Sequence, residues 1–192
     1  MINEKDIGSL FGKQLGRIKD PGLRDKVVKT FALAFQRGGW TSVADLERMP
    51  FTLLTDPLGV NFVEHTVAVT EGAAALGRAQ TEAYAKMPYA IDFDRLYAGG
   101  LLHDVGKLLE IEPDGKGGFR KSLAGQYARH PVSGAILAAE CGLPGDVVNI
   151  IVCHAKEGEG RPQVVEAVLI HQADFATFDP LVMKQKGVLI EA

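Results

Sequence analysis

The residues best suited to hold a transition metal are five histidines, His65, His103, His130, His154 and His171, together with Asp104 and Asp174. Imidazole nitrogens and carboxylate oxygens are the donors that borderline divalent metals accept. The densest group lies in AGGLLHDVGKLLEI, residues 98–111, where His103, Asp104 and Lys107 interrupt an otherwise apolar run. Burying three polar groups of different kinds is costly unless something compensates their lost hydration. A metal ion, a polar network or a helix end reaching water would each do so.

Helical spacing separates these explanations. His65 shares a 3–4-spaced stripe with Phe62, Val69, Gly72 and Leu76, which carries no charge. His103 continues the stripe of Leu96 and Gly99, with Lys107 one turn further on. His130 opens a segment bearing Gly134, Leu137 and Cys141, and His154 closes one bearing Val147, Ile150 and Ile151. Asp174 lines up with Ala167, Ile170, His171 and Phe178. A lone histidine on an apolar face is usually a satisfied core residue. Five segments that each aim a His or Asp inward are better explained by one shared ion site than by five separate hydrogen-bonding arrangements. Gly72, Gly99 and Gly134 would let the backbones approach closely around it.

The elements that must position these side chains read almost entirely as helix, and the expected fold class is all-α. GLRDKVVKTFALAFQR (22–37) places Leu23, Val27, Phe31, Ala34 and Phe35 on one face, and GGW stops it. TSVADLERM restarts with Thr41 or Ser42 as cap, and PFTLLTDPLG is a turn-rich connector. Helical segments follow at VNFVEHTVAVTEGAAALGRA, FDRLYAGGLLHDVGKLLEI, HPVSGAILAAECG, LPGDVVNIIVCH and QVVEAVLIHQADFATF. Pro131 is expected at a first helical position, Asp146 as a cap, and Asp92 and Asp94 as capping residues. The Gly- and charge-rich stretch 112–127 is expected to be a mobile loop close to the site, and no strand is expected.

Composition narrows the function classes. A net charge of −3 gives no reason to expect a grip on extended nucleic acid or a polybasic membrane patch. No apolar run is long enough for a membrane span, and MINEKDIGSL lacks the apolar core of a signal peptide. Cys141 and Cys153 form neither a metal knuckle nor a disulfide framework. A cytoplasmic protein is the expectation. Three regions are expected: a helical extension over 1–58 packed on the same domain, a metal-binding domain over 59–180, and a tail over 181–192. The extension, with Trp40 and Phe51, would cover one side of the metal domain or form a homodimer contact.

The order His65, His103–Asp104, His130, His154, Asp174 resembles the HD superfamily of metal-dependent phosphohydrolases. GGLLHDVGK is close to the family's central motif, RHPVSGAIL to the next motif of members with two metals, and VCHAKEGEGRP followed by LIHQAD to the end of the pattern. The resemblance covers roughly 60–180 and implies a helical bundle. It assigns His65, His103, Asp104 and Asp174 to the mononuclear ligand set, and adds His130 and His154 for a second ion bridged by Asp104. It therefore implies two divalent transition metals, iron or manganese. The spacing is also similar to small bacterial dinucleoside-polyphosphate hydrolases. Cyclic-dinucleotide phosphodiesterases share HDVGK, but they carry a doubled His and GYP where this chain has Cys153–His154 and GEGRP.

Such a pair of cations, about 3.5–4 Å apart, clamps a phosphoryl group and lowers the pKa of a bridging water, so that no side-chain nucleophile is needed. Lys107 lies on the face of Asp104, in reach of a phosphate oxygen or of solvent. Lys156 and Arg161 flank His154 and are candidate phosphate contacts, with ordinary surface charge as the alternative. Lys121 and Arg129 are weaker candidates. His171, which shares the face of Asp174, is expected to orient that carboxylate. The expected partner is a phosphorylated small molecule or nucleotide. Two other functions fit the ligands: a diiron oxygenase acting on a small hydroxylated or phosphonate substrate, and a non-catalytic signalling module. Oxygenase relatives add lysines for a small anion, whereas the position four after Asp174 is Phe178, which favours hydrolysis.

Overall fold

Side-chain caps set most of the helix starts. In a computed structural model, which describes residues 2–191, Asn3 caps α1 (Glu4–Leu15) and Asp20 caps α2 (Pro21–Gly38). Gly39, at φ 74°, ends α2 in a left-handed turn. Ser42 caps α3 (Val43–Leu46). Asn61 and Glu64 form a reciprocal capping box on α4 (Phe62–Ala83), which gives exposed Glu64 its role. Asp92 caps α5 (Phe93–Leu102). Asp94 instead accepts from the backbone N–H groups of Lys19 and Asp20, at 2.9 and 2.8 Å, and so ties α5 to the start of α2.

After α5 the chain departs from the single helix that the sequence suggests. Helix α5 ends at Leu102, and residues 103–106 form a tight turn in which Val105 N–H donates to Leu102 O and Lys107 N–H to Asp104 O. A four-residue helix, α6 (Lys107–Glu110), follows. The stretch expected to be a mobile loop is built instead as an antiparallel pair, β1 (Ile111–Pro113) and β2 (Phe119–Lys121), with Ile111 opposite Lys121. Asp114 Oδ1 accepts from Lys116 N–H at 2.7 Å and Gly118 N–H at 2.9 Å, closing the turn. Strands of three residues are too short to display an alternating pattern. Then α7 (Leu123–Tyr127) is capped by Ser122.

The remaining elements that carry expected ligands are α8 (His130–Glu140), α9 (Gly145–Cys153) and α10 (Val165–Gln185), with a short 3₁₀ turn at Lys156–Gly158. Pro131 is the second residue of α8 rather than the first. Asp146 does not cap α9, because Pro144 occupies the cap position and the Asp146 carboxylate pairs with Arg95 at 2.8 Å. Helix α10 runs through Pro180 into the expected tail. Leu76 is 42% exposed, since α4 turns its Ala73–Ala74–Gly77 side inward at that level.

One apolar cluster joins Phe11, Phe31 and Phe35 of the first two helices to Val69, Leu101, Ile150 and Ile170. Trp40 Nε1 donates to Leu108 O at 2.7 Å, fixing the end of α2 against α6. Cys141 is half-buried and Cys153 is buried among apolar residues, both as free thiols. Among the described residues no helix is long and apolar enough to cross a membrane.

Candidate metal centre

The turn at 103–106 explains how neighbouring residues face one centre. On a continuous helix His103 and Asp104 would diverge by about 100°. Here both side chains are buried and meet, with His103 Nε2 at 3.4 Å from Asp104 Oδ2. Gly106 lets α8 pack directly on this turn: a Cβ there would sit 2.1 Å from the His130 carbonyl oxygen. Of the three glycines on the ligand stripes, Gly99 is the most tightly confined, with Ile150 at 2.5 Å from a virtual Cβ. Gly134 is also tight, at 3.1 Å from Ile151, whereas Gly72 would accept a methyl at ordinary contact distance.

Asp104 is the hub, and its two oxygens serve different neighbours. Oδ2 lies 3.2 Å from His65 Nε2 and 3.4 Å from His103 Nε2, while Oδ1 lies 3.2 Å from His130 Nε2 and 3.5 Å from His154 Nε2. Asp174 joins the first side, with Oδ1 at 3.2 Å from His65 Nε2. Two groups of donors result, each compact enough for one ion: His65, His103 and Asp104, and Asp104, His130 and His154.

The outer ring nitrogens fix the tautomers. His103 Nδ1–H donates to Gly100 O at 2.6 Å and His154 Nδ1–H to Ile151 O at 2.8 Å. His130 Nδ1–H donates to Glu110 Oε2 at 3.0 Å. His65 Nδ1 faces Thr177 Oγ1 at 3.2 Å, and that hydroxyl donates its own proton to Asp174 O, so the ring is the donor. With every Nδ1 carrying the proton, each Nε2 presents a lone pair to the centre. Lone pairs then oppose one another, at 3.5 Å between His65 and His103 and 3.3 Å between His130 and His154, around a carboxylate. Acceptors gathered in this way require a cation.

Lys107 supplies one positive charge, with Nζ 2.5 Å from Asp104 Oδ2. Asp104 Oδ1 is buried with no hydrogen-bond partner, and an oxygen left so is costly. This orphaned oxygen, between two bare imidazole nitrogens, fits a divalent ion. Burial raises the Asp104 pKa, but Lys107 and the neighbouring histidines outweigh it and hold the carboxyl well below the usual range. Burial likewise opposes ionisation of Asp174, yet its pKa lies low, at about 2, with the His65 ring 3.2 Å away. For His130, desolvation wins over Asp104 and Glu110, and the pKa falls to about 4. These values favour the deprotonated forms that a metal needs.

A cavity of about 660 Å³ opens onto His130 and Asp174. Its cations are Lys107, Lys121, Arg129 and Lys156, and Phe51, Phe175 and Phe178 supply much of its apolar wall. Lys156 therefore stands where a bound anion would meet it, whereas Arg161 stays outside this wall, exposed in the turn beyond Gly160. Lys121 and Arg129, the weaker candidates, line the cavity. His171 makes no hydrogen bond to the Asp174 carboxylate: its Nδ1–H donates to His154 O at 2.6 Å, steadying the loop after α9.

Three neighbours of the site carry no clear mark in the sequence. Phe51, from the turn-rich connector, stacks on His65 with ring centres 4.2 Å apart. Thr177 stands three residues after Asp174, on the same helix face, and that spacing could have flagged it. Glu110 follows Lys107 by three, which is again a same-face spacing, but it ends a segment read as helix running into loop.

His and Asp side chains converging from separate helices define a helical domain built around a candidate metal site. The chain belongs to the HD-domain family, whose model matches residues 62–176. Among similar proteins, Ribonuclease Y of Pseudothermotoga lettingae is 31% identical over 116 residues, covering 60% of this chain and 18% of that protein. Ribonuclease Y of Thermotoga maritima gives the same identity and coverage. That of Acidothermus cellulolyticus is 38% identical over 84 residues, covering 44% and 14%. The alignments thus span less than a fifth of these curated relatives. No solved structure matches.

Proposed function

We propose that the protein is a metal-dependent phosphohydrolase that cleaves a phosphoester or nucleotide phosphoanhydride of a small substrate. One observation carries the reading: the Asp104 carboxylate is divided between two histidine pairs, and its Oδ1 has no other partner. His65, His103, Asp104 and Asp174 would hold one ion, and Asp104, His130 and His154 would hold the second. Two divalent ions of the iron or manganese type would supply Lewis acidity to a phosphoryl group and a water acidified enough to act as nucleophile. Asp104 fixes the spacing between the two sites. Lys107, within reach of Asp104, neutralises charge on the phosphoryl oxygens, and Lys156 at the cavity wall binds the outer part of the anion.

The cavity volume is that of a small-ligand site, and the net charge of −3 offers no broad basic surface for a long polyanion. The relatives' name, Ribonuclease Y, nevertheless makes a ribonucleotide phosphodiester one of the bonds to try. The test is a panel of bis-p-nitrophenyl phosphate, nucleoside di- and triphosphates and a short oligoribonucleotide, assayed with Mn²⁺ or Fe²⁺. Turnover that depends on the metal and disappears in Asp104→Ala is expected. Full metal loading with no phosphate release, and oxygen uptake in its place, would establish the oxygenase reading instead.

A further inference from the structure

We infer that Glu110 is the positioning residue that builds the His130 side of the centre, and that without it the ion at Asp104, His130 and His154 is bound more weakly while the ion at His65, His103, Asp104 and Asp174 is kept. The inference rests on the two-ion reading above.

The reason lies in where each histidine sits on its helix. His103 and His154 are the residues that immediately follow α5 and α9, and each finds an acceptor three residues earlier in its own helix, Gly100 O and Ile151 O. His130 opens α8, so its own helix has no carbonyl three residues before it, and the extended residues 128 and 129 separate it from α7. The first N–H groups of a helix also lack intrahelical partners, and the cap residue here, Arg129, makes no side-chain capping bond. His130 therefore has two donors with nowhere local to go.

Glu110 takes both. Its Oε2 accepts from the His130 backbone N–H at 2.7 Å and from His130 Nδ1–H at 3.0 Å. One carboxylate oxygen thus caps α8 from another element and sets the ring's tautomer, aiming Nε2 at Asp104 Oδ1, 3.2 Å away. The other oxygen is held from the cavity side by Lys121 at 3.4 Å and, more loosely, by Arg129, whose Nε lies 3.7 Å from it. The carboxylate is consequently fixed on both sides. Among the four histidines that face Asp104, only His130 depends on a charged side chain for its orientation. Carboxylates behind a metal-bound imidazole orient the ring and raise its basicity, and their loss typically weakens metal binding about 10–100-fold.

The test is Mn²⁺ titration of metal-free protein by calorimetry, in the wild type, Glu110→Gln, Glu110→Ala and His130→Ala. Glu110→Gln keeps one acceptor and is expected to weaken the second ion about 10-fold, and Glu110→Ala about 100-fold, with the first ion held within about twofold. A merely structural role for Glu110 would weaken both ions together. That result, or two unchanged affinities beside a His130→Ala protein that has lost one ion, overturns the inference and leaves the two-ion reading standing. If His130→Ala itself binds as much Mn²⁺ as the wild type, both fall.

Discussion

Two charge clusters, each built on a buried carboxylate, tie the helices of the domain together, and they are completed in opposite ways. At one end, fully buried Glu166 of α10 accepts from Asp92 N–H at 2.7 Å and pairs with Arg95 at 3.2 Å, and Arg95 also reaches Asp146 of α9 at 2.8 Å. Each carboxylate there has a cation or an N–H against it. At the other end, Asp104 and Asp174 face four imidazole lone pairs with Lys107 alone to balance them, and one carboxylate oxygen has no partner. In the Arg95 cluster each carboxylate finds its countercharge within the chain, and Arg95 Nε, although it makes no aligned hydrogen bond, lies 2.8 Å from Asp146 Oδ2, so the cluster reads as structure. The Asp104 cluster is complete only with something the chain does not encode, and that difference marks it as the functional one.

The comparison can be broken most severely at Asp104. Asp104→Ala removes the atom pair shared by both ion sites, and metal content should fall from two ions per chain to none, with activity at background. Arg95→Ala should do the reverse. It strands the Glu166 carboxylate in the interior, and stability should drop by about 3–5 kcal/mol in denaturant unfolding, with metal content unchanged below the transition. A variant of Arg95 that lost metal while keeping its stability would erase the distinction between the clusters.

Acid should sharpen the contrast. The folded His130 pKa, about 4, lies below the ordinary 6.5, because burial disfavours the charged ring. Below pH 6.5 the unfolded chain binds the proton more readily, so the metal-free protein should lose stability steadily as pH falls from 6.5 towards 4. His130→Asn should make that slope shallower over the same window. Glu110, held to about 2 because the His130 hydrogen bonds and Arg129 outweigh its burial, adds a loss at lower pH, beginning below its ordinary 4.5. The smallest effect is expected at Gly106→Ala. The new methyl meets the His130 carbonyl, and relieving that overlap should cost about 1–3 kcal/mol and push α8 away from the turn. A thermal-shift measurement together with a metal count would register both consequences.

The side chains that converge on Asp104 were legible in the sequence because His and Asp are conspicuous on apolar stripes, and helical spacing is enough to face them inward. Their convergence from separate helices was legible for the same reason. The break after Leu102 was not, because the turn at 103–106 is made by i−3 hydrogen bonds and one close contact at Gly106, neither of which alters the apolar pattern. Glu110 was missed because its partner, His130, lies twenty residues away across a hairpin. Phe51 was missed because stacking on His65 comes from a connector with no period of its own. Lys156 and Arg161 looked equivalent beside His154, and the path of the loop separates them.

The central claim is that the divided Asp104 carboxylate bridges two ions, and metal stoichiometry tests it most directly. Elemental analysis of protein purified without added metal, repeated after incubation with Mn²⁺ and Fe²⁺, should find two transition-metal ions per chain in the wild type and none in Asp104→Ala. One ion or none in the wild type after incubation, or an Asp104→Ala protein that keeps its full complement, would contradict it.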